Sequence, residues 1–371
     1  MRLTSSALCC AAALSALAFC PVAGAQPAAP KPAEQQFKNI QALQGTPADQ
    51  LLPAMQYISA SLGVECEFCH VQGKMDADDK PAKKTARKMI AMTLAINKDS
   101  FNGRKEVTCY TCHRGNNDPV GTPPVIASDT EPEHAKETPA AAANTAPTAS
   151  QILDKYVAAI GGADALHKIS SRVEKGNIAF GSQQVPIEVF AKAPDKRVSV
   201  SHMPSGDSFT AFDGQNGWLG NTGRPARDMG SQENDAARLD ADFYFATHLK
   251  DIFTGFRAGR PDKIDGQSVY PIFAMRQGMP PVRLYFDQSS GLLVRLVRYT
   301  DTPVGRSPTQ IDYADYRDVD GIKVPFRWTL SRISGRFTIQ IAEAKQNVDI
   351  DDAKFIKPAA PANPDAKPSG H

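Results

Sequence analysis

The sequence lacks a strong net charge, a long hydrophobic run and spare cysteines. Its 42 Lys and Arg against 40 Asp and Glu give a formal net charge of +2 over 371 residues, which favours neither a nucleic acid nor a strongly anionic membrane as a partner. The apolar run near the N-terminus, residues 7–19, is too short to cross a bilayer. No Ser-His-Asp set, paired carboxylates or phosphate-binding loop is evident, so the common hydrolase and nucleotide-binding classes have no support.

The first 25 residues are typical of a secretory signal. A single basic residue precedes the apolar run, and small residues at 23–25 form a cleavage pattern that predicts a mature start at Gln26. Three of the seven cysteines fall in this segment. Cys20 could instead be a lipoprotein cysteine, but Phe19 is too bulky for the small residue usual before such a site. The segment predicts export to the periplasm without a lipid anchor.

The four remaining cysteines lie in two copies of C-x-x-C-H, residues 66–70 and 109–113. In this motif the two thiols form thioether bonds to the porphyrin, and the adjacent histidine binds the iron. The pattern therefore predicts two haem c groups and no thiol left over for a disulfide. The predicted covalent sites are Cys66, Cys69, Cys109 and Cys112, and the predicted proximal iron ligands are His70 and His113.

Zinc and disulfides are the alternatives for these cysteines. A paired C-x-x-C set can bind zinc, although the gap between the two pairs is long and a four-cysteine site does not need the two histidines. Export permits disulfides, but a bridge within C-x-x-C closes a very small loop and stabilises little. Both alternatives are weaker than haem.

Composition divides the chain into segments. Residues 118–150 are rich in Pro, Ala and Thr and nearly free of large apolar side chains, which predicts a linker that separates two domains. The predicted segments are a signal peptide at 1–25, a disordered N-terminus at 26–37, a haem domain at 38–117, the linker at 118–150, a β-domain at 151–356 and a disordered tail at 357–371.

Residues 38–117 are predicted to be helical. One helix starts at the Thr46-Pro47-Ala48-Asp49 signature, with Asp49 as the capping acid, and ends at Gly63. A second helix spans about 81–97. Its basic residues are expected on the solvent side: Lys83, Lys84, Arg87 and Lys88.

Residues 151–356 are dominated by strand patterns. A helix at 152–160 ends at Gly161-Gly162, and alternating apolar residues then recur between Asp-Gly and Ser-Gly turns. One helical interruption is predicted at 235–249. Consecutive hairpins imply a large antiparallel sheet, whose apolar face must curl over a helix, a ligand or itself.

Methionines are the candidates for the sixth iron position, because a thioether stabilises ferrous iron. Met55 precedes the first motif, and Met89 and Met92 precede the second. Methionines on a helix face more often fill a core. Met89 and Met92 are three residues apart on one face, so spacing alone does not choose between them.

Residues 38–117 resemble the cytochrome c subunit of photosynthetic reaction centres. The similarity rests on MQYI at 55–58 before the first motif, and on RKMIAMT at 87–93 before CYTCHRG at 109–115. The resemblance implies a distal Met on the helix before each motif, which places the ligands on Met55 and Met89, with Met92 as the alternative. The photosynthetic members of this family have four haems and a distal His in the loop matching 99–104, which here has none. The resemblance therefore implies a dihaem, non-photosynthetic-type member.

The β-domain resembles the Lol-type lipoprotein carriers. The features are Gly161-Gly162, the turn at 212–218, the hairpin at 285–293 and residues 313–325. This resemblance implies an open antiparallel β-barrel around helices, with an apolar cavity. The expected fold is multidomain: a small all-α dihaem cytochrome c domain followed by this LolA-like half-barrel.

The expected function is periplasmic electron transfer to redox partner proteins, some of them membrane-bound, with a β-domain for docking or for a hydrophobic ligand. One alternative is a peroxidase-like haem enzyme, which would need an open iron position that the methionines argue against. The other is an envelope lipid-binding or ligand-binding protein with a redox-sensing haem module.

Overall fold

A computed structural model describes residues 31–121, 147–181 and 183–358. The predicted signal peptide, the middle of the linker and the tail beyond residue 358 lie outside the described residues.

The helices are α1 Ala33–Gln36, α2 Ala48–Leu62, α3 Cys66–Cys69, α4 Pro81–Phe101, α5 Cys109–His113, α6 Ala149–Ala159, α7 Ala163–Leu166, α8 Ser231–Ala241 and α9 Phe245–Ile252. The strands are β1 Ser171–Phe180, β2 Gln183–Lys192, β3 Lys196–Met203, β4 Gly206–Asp213, β5 Gly217–Asn221, β6 Arg227–Asp228, β7 Gly255–Ala258, β8 Asp262–Ile264, β9 Gln267–Met275, β10 Val282–Asp287, β11 Leu293–Thr302, β12 Gly305–Val319, β13 Ile322–Arg332 and β14 Gly335–Gln346.

The N-terminal region is helical, as the sequence predicts. Helix α2 contains Pro53 and ends at Gly63, which adopts the left-handed conformation with φ +65°. An added Cβ at Gly63 would lie 2.1 Å from the carbonyl oxygen of Gly115. The Gly115 N–H also donates to the Ser61 carbonyl at 2.8 Å. The end of α2, which leads into the first motif, is therefore fastened to the residues that follow the second motif.

The prediction that residues 26–37 are disordered is wrong for the part that the structure describes. Ala33 is fully buried, and its N–H donates to the Thr46 carbonyl at 2.7 Å. The Ala48 N–H donates to the Lys31 carbonyl at 2.8 Å. Backbone hydrogen bonds hold this segment against the start of α2, and its composition gives no sign of them.

The strands form one antiparallel sheet in the order β6–β5–β4–β3–β2–β1–β14–β13–β12–β11–β10–β9–β7, with β8 paired to β9. The sheet is open, because β6 and β7 at its two ends are not paired with each other. Its main apolar cluster lies between one sheet face and α6, α8 and α9. A smaller cluster on other strand residues includes Trp218 and is covered by Ile350 and Phe355.

The helix predicted at 235–249 is two helices. Helix α8 ends at Ala241, and α9 begins at Phe245. The Asp242 carboxylate accepts from the Tyr244 N–H at 3.0 Å and contacts the His248 ring nitrogen at 2.9 Å. This side chain replaces the backbone hydrogen bonds of a continuous helix and lets the chain turn between the two segments.

The β-domain packs against the helical region, so the expectation that the linker separates them is wrong. Val304, between β11 and β12, is only 2% exposed and belongs to the apolar cluster of the helical region. Its neighbours in that cluster include Leu51, Ala54 and Ile58 of α2.

The predicted capping role of Asp49 is also wrong. Helix α2 begins without a side-chain cap, and Asp49 Oδ1 is buried without a hydrogen-bond partner among the described residues. Asp49 lies instead against Gly230 of the β-domain, where an added Cβ would be 1.9 Å from Oδ2.

Candidate functional site

The two C-x-x-C-H motifs form the short helices α3 and α5 on the helical region. Helix α5 is held by Thr108, whose N–H donates to Thr111 Oγ1 at 2.9 Å. The loop before it is fixed by Asn97, which donates to the Val107 carbonyl at 2.6 Å and accepts from the Val107 N–H at 2.9 Å. The second motif is thus anchored to α4 by a buried amide.

All four motif cysteines are free thiols. Cys66 and Cys112 are exposed, and Cys69 and Cys109 are half-buried. Burial raises the pKa of the Cys69 thiol, opposed by the positive charge of Lys80. Burial likewise raises the pKa of Cys109. One thiol of each pair is accessible, and the other is partly covered by the protein.

Each motif histidine uses one ring nitrogen to bind the backbone. His70 Nδ1 lies 2.8 Å from the Met75 carbonyl oxygen, and His113 Nδ1 lies 3.0 Å from that of Asn116. A carbonyl can only accept, so Nδ1 carries the proton and Nε2 keeps its lone pair. Such a bond fixes the ring orientation of a metal-binding histidine and raises its basicity. Both rings are therefore prepared to bind a metal through Nε2.

The geometry does not support zinc or disulfides. Within the described ranges, no three His, Cys, Asp or Glu side chains come together as a metal site. The two cysteine pairs therefore do not converge on one zinc ion, which would need all four thiolates. Neither pair is bridged.

Large apolar side chains inside the motifs, in the loop after the first motif and on α4 are exposed. Phe68 and Tyr110, inside the motifs, are 42% and 55% exposed. Met75, Met89 and Met92 are also exposed. Exposed apolar side chains of this size in and near the motifs are compatible with an apolar group that covers them. Together with the free thiols and the two Nε2 lone pairs, they fit a covalently attached porphyrin at each motif.

The candidate distal methionines occupy different settings. Met55 is half-buried in the apolar cluster that also contains Cys109. Met89 and Met92 both lie exposed on α4. Helix α5 packs mainly against α2, while α3 contacts α4. The structure brings methionines and motifs into one region but does not choose between Met89 and Met92, and the pairing of each Met with its His stays a prediction.

Lys83 is the residue that the sequence pattern missed. It was expected on the solvent side of α4, yet it is only 8% exposed. Its ammonium group donates to the carbonyls of Met75 at 2.9 Å and Ala77 at 2.8 Å. It also forms an ion pair with Asp78 at 3.4 Å. Helix periodicity could not reveal this, because the partners belong to the loop between α3 and α4.

An open cleft of about 940 Å³ lies beside α8, β5 and β6 of the β-domain. Charged side chains contribute much of its lining, including Arg238, Lys357 and the Arg276–Asp235 ion pair. This charged lining differs from the apolar cavity that the resemblance to Lol-type carriers implies. A hydrophobic ligand for the domain stays a prediction.

Sequence comparison finds relatives for the N-terminal region. The family model of the photosynthetic reaction centre cytochrome C subunit matches residues 10–187. The N-terminal region matches this cytochrome family. The reaction centre cytochrome c subunit of Thermochromatium tepidum is 33% identical over 88 residues, covering 23% of this chain and 22% of that protein. Cytochrome c-554 of Chloroflexus aurantiacus is 35% identical over 82 residues, covering 20% of each. The matched segment therefore spans about a fifth of these cytochromes.

Structural comparison finds neighbours for the C-terminal part. A LolA superfamily protein from Nitrosomonas europaea shares 15% identity with a TM-score of 0.39, covering 57% of this chain and 99% of that protein. A DUF1329 family protein from Desulfovibrio piger shares 14% identity with a TM-score of 0.41, covering 57% and 98%. Among the described residues, no helix has the length and apolar character to span a membrane.

Proposed function

We propose that this protein is a periplasmic dihaem c-type cytochrome that transfers electrons. One observation carries the proposal: each C-x-x-C-H histidine donates Nδ1–H to a backbone carbonyl and leaves Nε2 free beside two unbridged thiols. The similarity to cytochromes c supports the same chemistry. When bound, haem supplies one-electron redox chemistry at its iron.

The chain's own residues have distinct roles in this proposal. His70 and His113 bind the two irons, and their backbone hydrogen bonds hold the rings in place. Met55 would supply the second protein ligand to the iron held by His70, and Met89 to the iron held by His113, with Met92 as the alternative. A thioether on each iron favours the reduced state and leaves no open position for a substrate.

The proximity of the two motifs supports transfer between two haems. The end of α2 is fastened to the segment after the second motif through Gly63 and Gly115, and α2 itself packs against α5. Two cofactors attached this close together can exchange electrons within one protein. Partner proteins, including membrane-bound ones, then deliver and remove the electrons.

Carbon monoxide and peroxide test transfer against catalysis. The reduced holoprotein should keep its spectrum under carbon monoxide at neutral pH, because both irons have two protein ligands. The oxidised protein should show no peroxide-dependent turnover. A large carbon monoxide shift of either haem, or steady peroxidase activity, would support the haem enzyme instead.

A ligand-binding role for the β-domain is the second candidate, and the open cleft of about 940 Å³, with its mixed charged and apolar lining, is where such a ligand would bind. A ligand that binds only the folded state raises the thermal midpoint of the holoprotein. Fatty acids and quinones are the probes for the predicted hydrophobic ligand, with Arg238→Ala as a cleft-lining variant. If no probe shifts the midpoint, the domain is better interpreted as a docking module.

A further inference from the structure

The carbonyl oxygen of Met75 accepts two hydrogen bonds. One comes from His70 Nδ1 at 2.8 Å and the other from the Lys83 ammonium group at 2.9 Å. A buried cation is thereby held one oxygen atom away from the predicted proximal ligand of the first haem. The second bond of Lys83, to the Ala77 carbonyl at 2.8 Å, keeps it in this position.

The charge of Lys83 is only partly neutralised. Its acidic neighbour Asp78 lies 3.4 Å away, but Asp78 also binds Arg87 at 2.9 Å. Two cations therefore share one carboxylate, and the side chains of Lys83, Arg87 and Asp78 together carry a net positive charge. Because Lys83 is 8% exposed, water screens this charge poorly.

Among the residues that the structure describes, the second motif has no equivalent of this cation. His113 Nδ1 donates to the Asn116 carbonyl at 3.0 Å. Among the hydrogen bonds of the described residues, no charged side chain donates to that oxygen. The two histidines therefore have the same kind of backbone acceptor, but only the acceptor of His70 is shared with an ammonium group.

We propose that Lys83 is a positioning residue that raises the reduction potential of the first haem relative to the second. This inference rests on the proposed dihaem function. By binding the Met75 carbonyl, Lys83 makes that oxygen a weaker acceptor for His70, so the imidazole donates less electron density to its iron. Its positive charge also opposes the additional charge of the ferric state. Both effects favour the reduced form of the first haem.

Four substitutions on α4 separate this role from a structural one. Lys83→Met removes the charge and the donor, while Lys83→Arg keeps the charge and the donors. Lys84→Met removes the same charge from the exposed neighbouring position. Lys83→Gln, which keeps an uncharged donor, serves if the methionine variant does not fold. Each holoprotein is titrated spectroelectrochemically, and a Cys66→Ala/Cys69→Ala variant identifies the wave that belongs to the first haem.

In Lys83→Met, the ratio of oxidised to reduced first haem at a fixed potential should rise about threefold to tenfold. A tenfold change in this ratio corresponds to a shift of about 59 mV for one electron. The wave of the second haem should stay in place as an internal reference. Lys83→Arg should retain most of the wild-type potential, and Lys84→Met should leave both waves unchanged.

The inference is overturned if the first haem keeps its wild-type potential in both Lys83→Met and Lys83→Gln. It is also overturned if Lys84→Met shifts that potential as much as Lys83→Met does. In either case the wild-type protein would still show two haem waves, so the proposed function would stand. A wild-type protein without haem waves would instead reject the proposed function itself.

Discussion

Gly305 lies directly against the ring of Tyr57. A Cβ added to Gly305 would be 2.5 Å from the ring carbon Cζ and 2.8 Å from the hydroxyl oxygen. Tyr57 belongs to α2, two residues after Met55, whereas Gly305 begins β12. Burial raises the pKa of Tyr57, opposed by hydrogen bonding to Thr108 at the start of the second motif. A hairpin of the β-domain therefore contacts a side chain that also binds the residue preceding the second motif.

We expect Gly305→Ala to destabilise the holoprotein by about 1–3 kcal/mol, because the methyl group has no room beside Tyr57. Gly335→Ala is the matched control: its φ of +151° is close to the +156° of Gly305, but an added Cβ would meet nothing within 4 Å. Backbone strain should therefore cost similar amounts in both variants. Chemical denaturation gives the two free energies of unfolding, and equal losses would mean that the interface contributes little.

Met89→Ala should remove the ferric charge-transfer band of one thioether-ligated haem and lower its potential, since the ferrous iron loses its soft ligand. Met92→Ala should leave that band intact and serves as the neighbouring control on the same exposed helix face. Met55→Ala should affect only the other haem. If the band is lost in Met92→Ala and kept in Met89→Ala, the ligand is Met92, about one helical turn away.

Asp78 makes the helical region sensitive to acid. Its hydrogen bond to Arg87 is the main cause that lowers its pKa from 3.8 to about 2, with Lys83 and Asn39 assisting. A depressed carboxyl pKa stabilises the folded state above its ordinary pKa, and the contribution is lost as the pH falls through the folded value. The difference in thermal midpoint between wild type and Asp78→Asn should be constant above about pH 4 and vanish towards pH 2. An Asp78→Asn difference that persists at pH 2 would contradict the assignment.

Residues 74–114 carry ten Lys and Arg against five Asp and Glu. If this surplus guides an acidic redox partner, electron-transfer rates should fall as salt rises, because screening shortens from about 10 Å at 0.1 M to about 3 Å at 1 M. Stopped-flow rates with an acidic acceptor measure this. Lys84→Glu should weaken the dependence, whereas rates that stay flat with salt would indicate an ordinary solvated face.

The sequence predicted features whose partners are close in the chain. The positions of Cys66, Cys69 and His70 follow from a local motif, and the end of α2 follows from Gly63. The turns between strands were predicted from Asp-Gly and Ser-Gly pairs. In each case the physical cause lies within a few residues, so a local sequence pattern is enough to predict the feature.

Features that depend on distant partners were missed. Lys83 occupies a position that helix periodicity assigns to solvent, but the loop after the first motif folds back to cover it. Val304 lies in a hairpin turn, where an apolar residue gives no sign of docking onto α2. Asp49 has the position of a helix cap, yet it contacts Gly230 some 180 residues later in the chain. Tertiary contacts of this kind override local preference.

Intact mass of the holoprotein is the most direct test of the central claim, that this chain carries two covalent haems. Protein matured in a host competent for cytochrome c assembly should show the mass of the processed chain plus two haems. The Cys66→Ala/Cys69→Ala variant should show one haem, as should Cys109→Ala/Cys112→Ala. A wild-type mass with one haem, with none or with bound zinc would contradict the dihaem account.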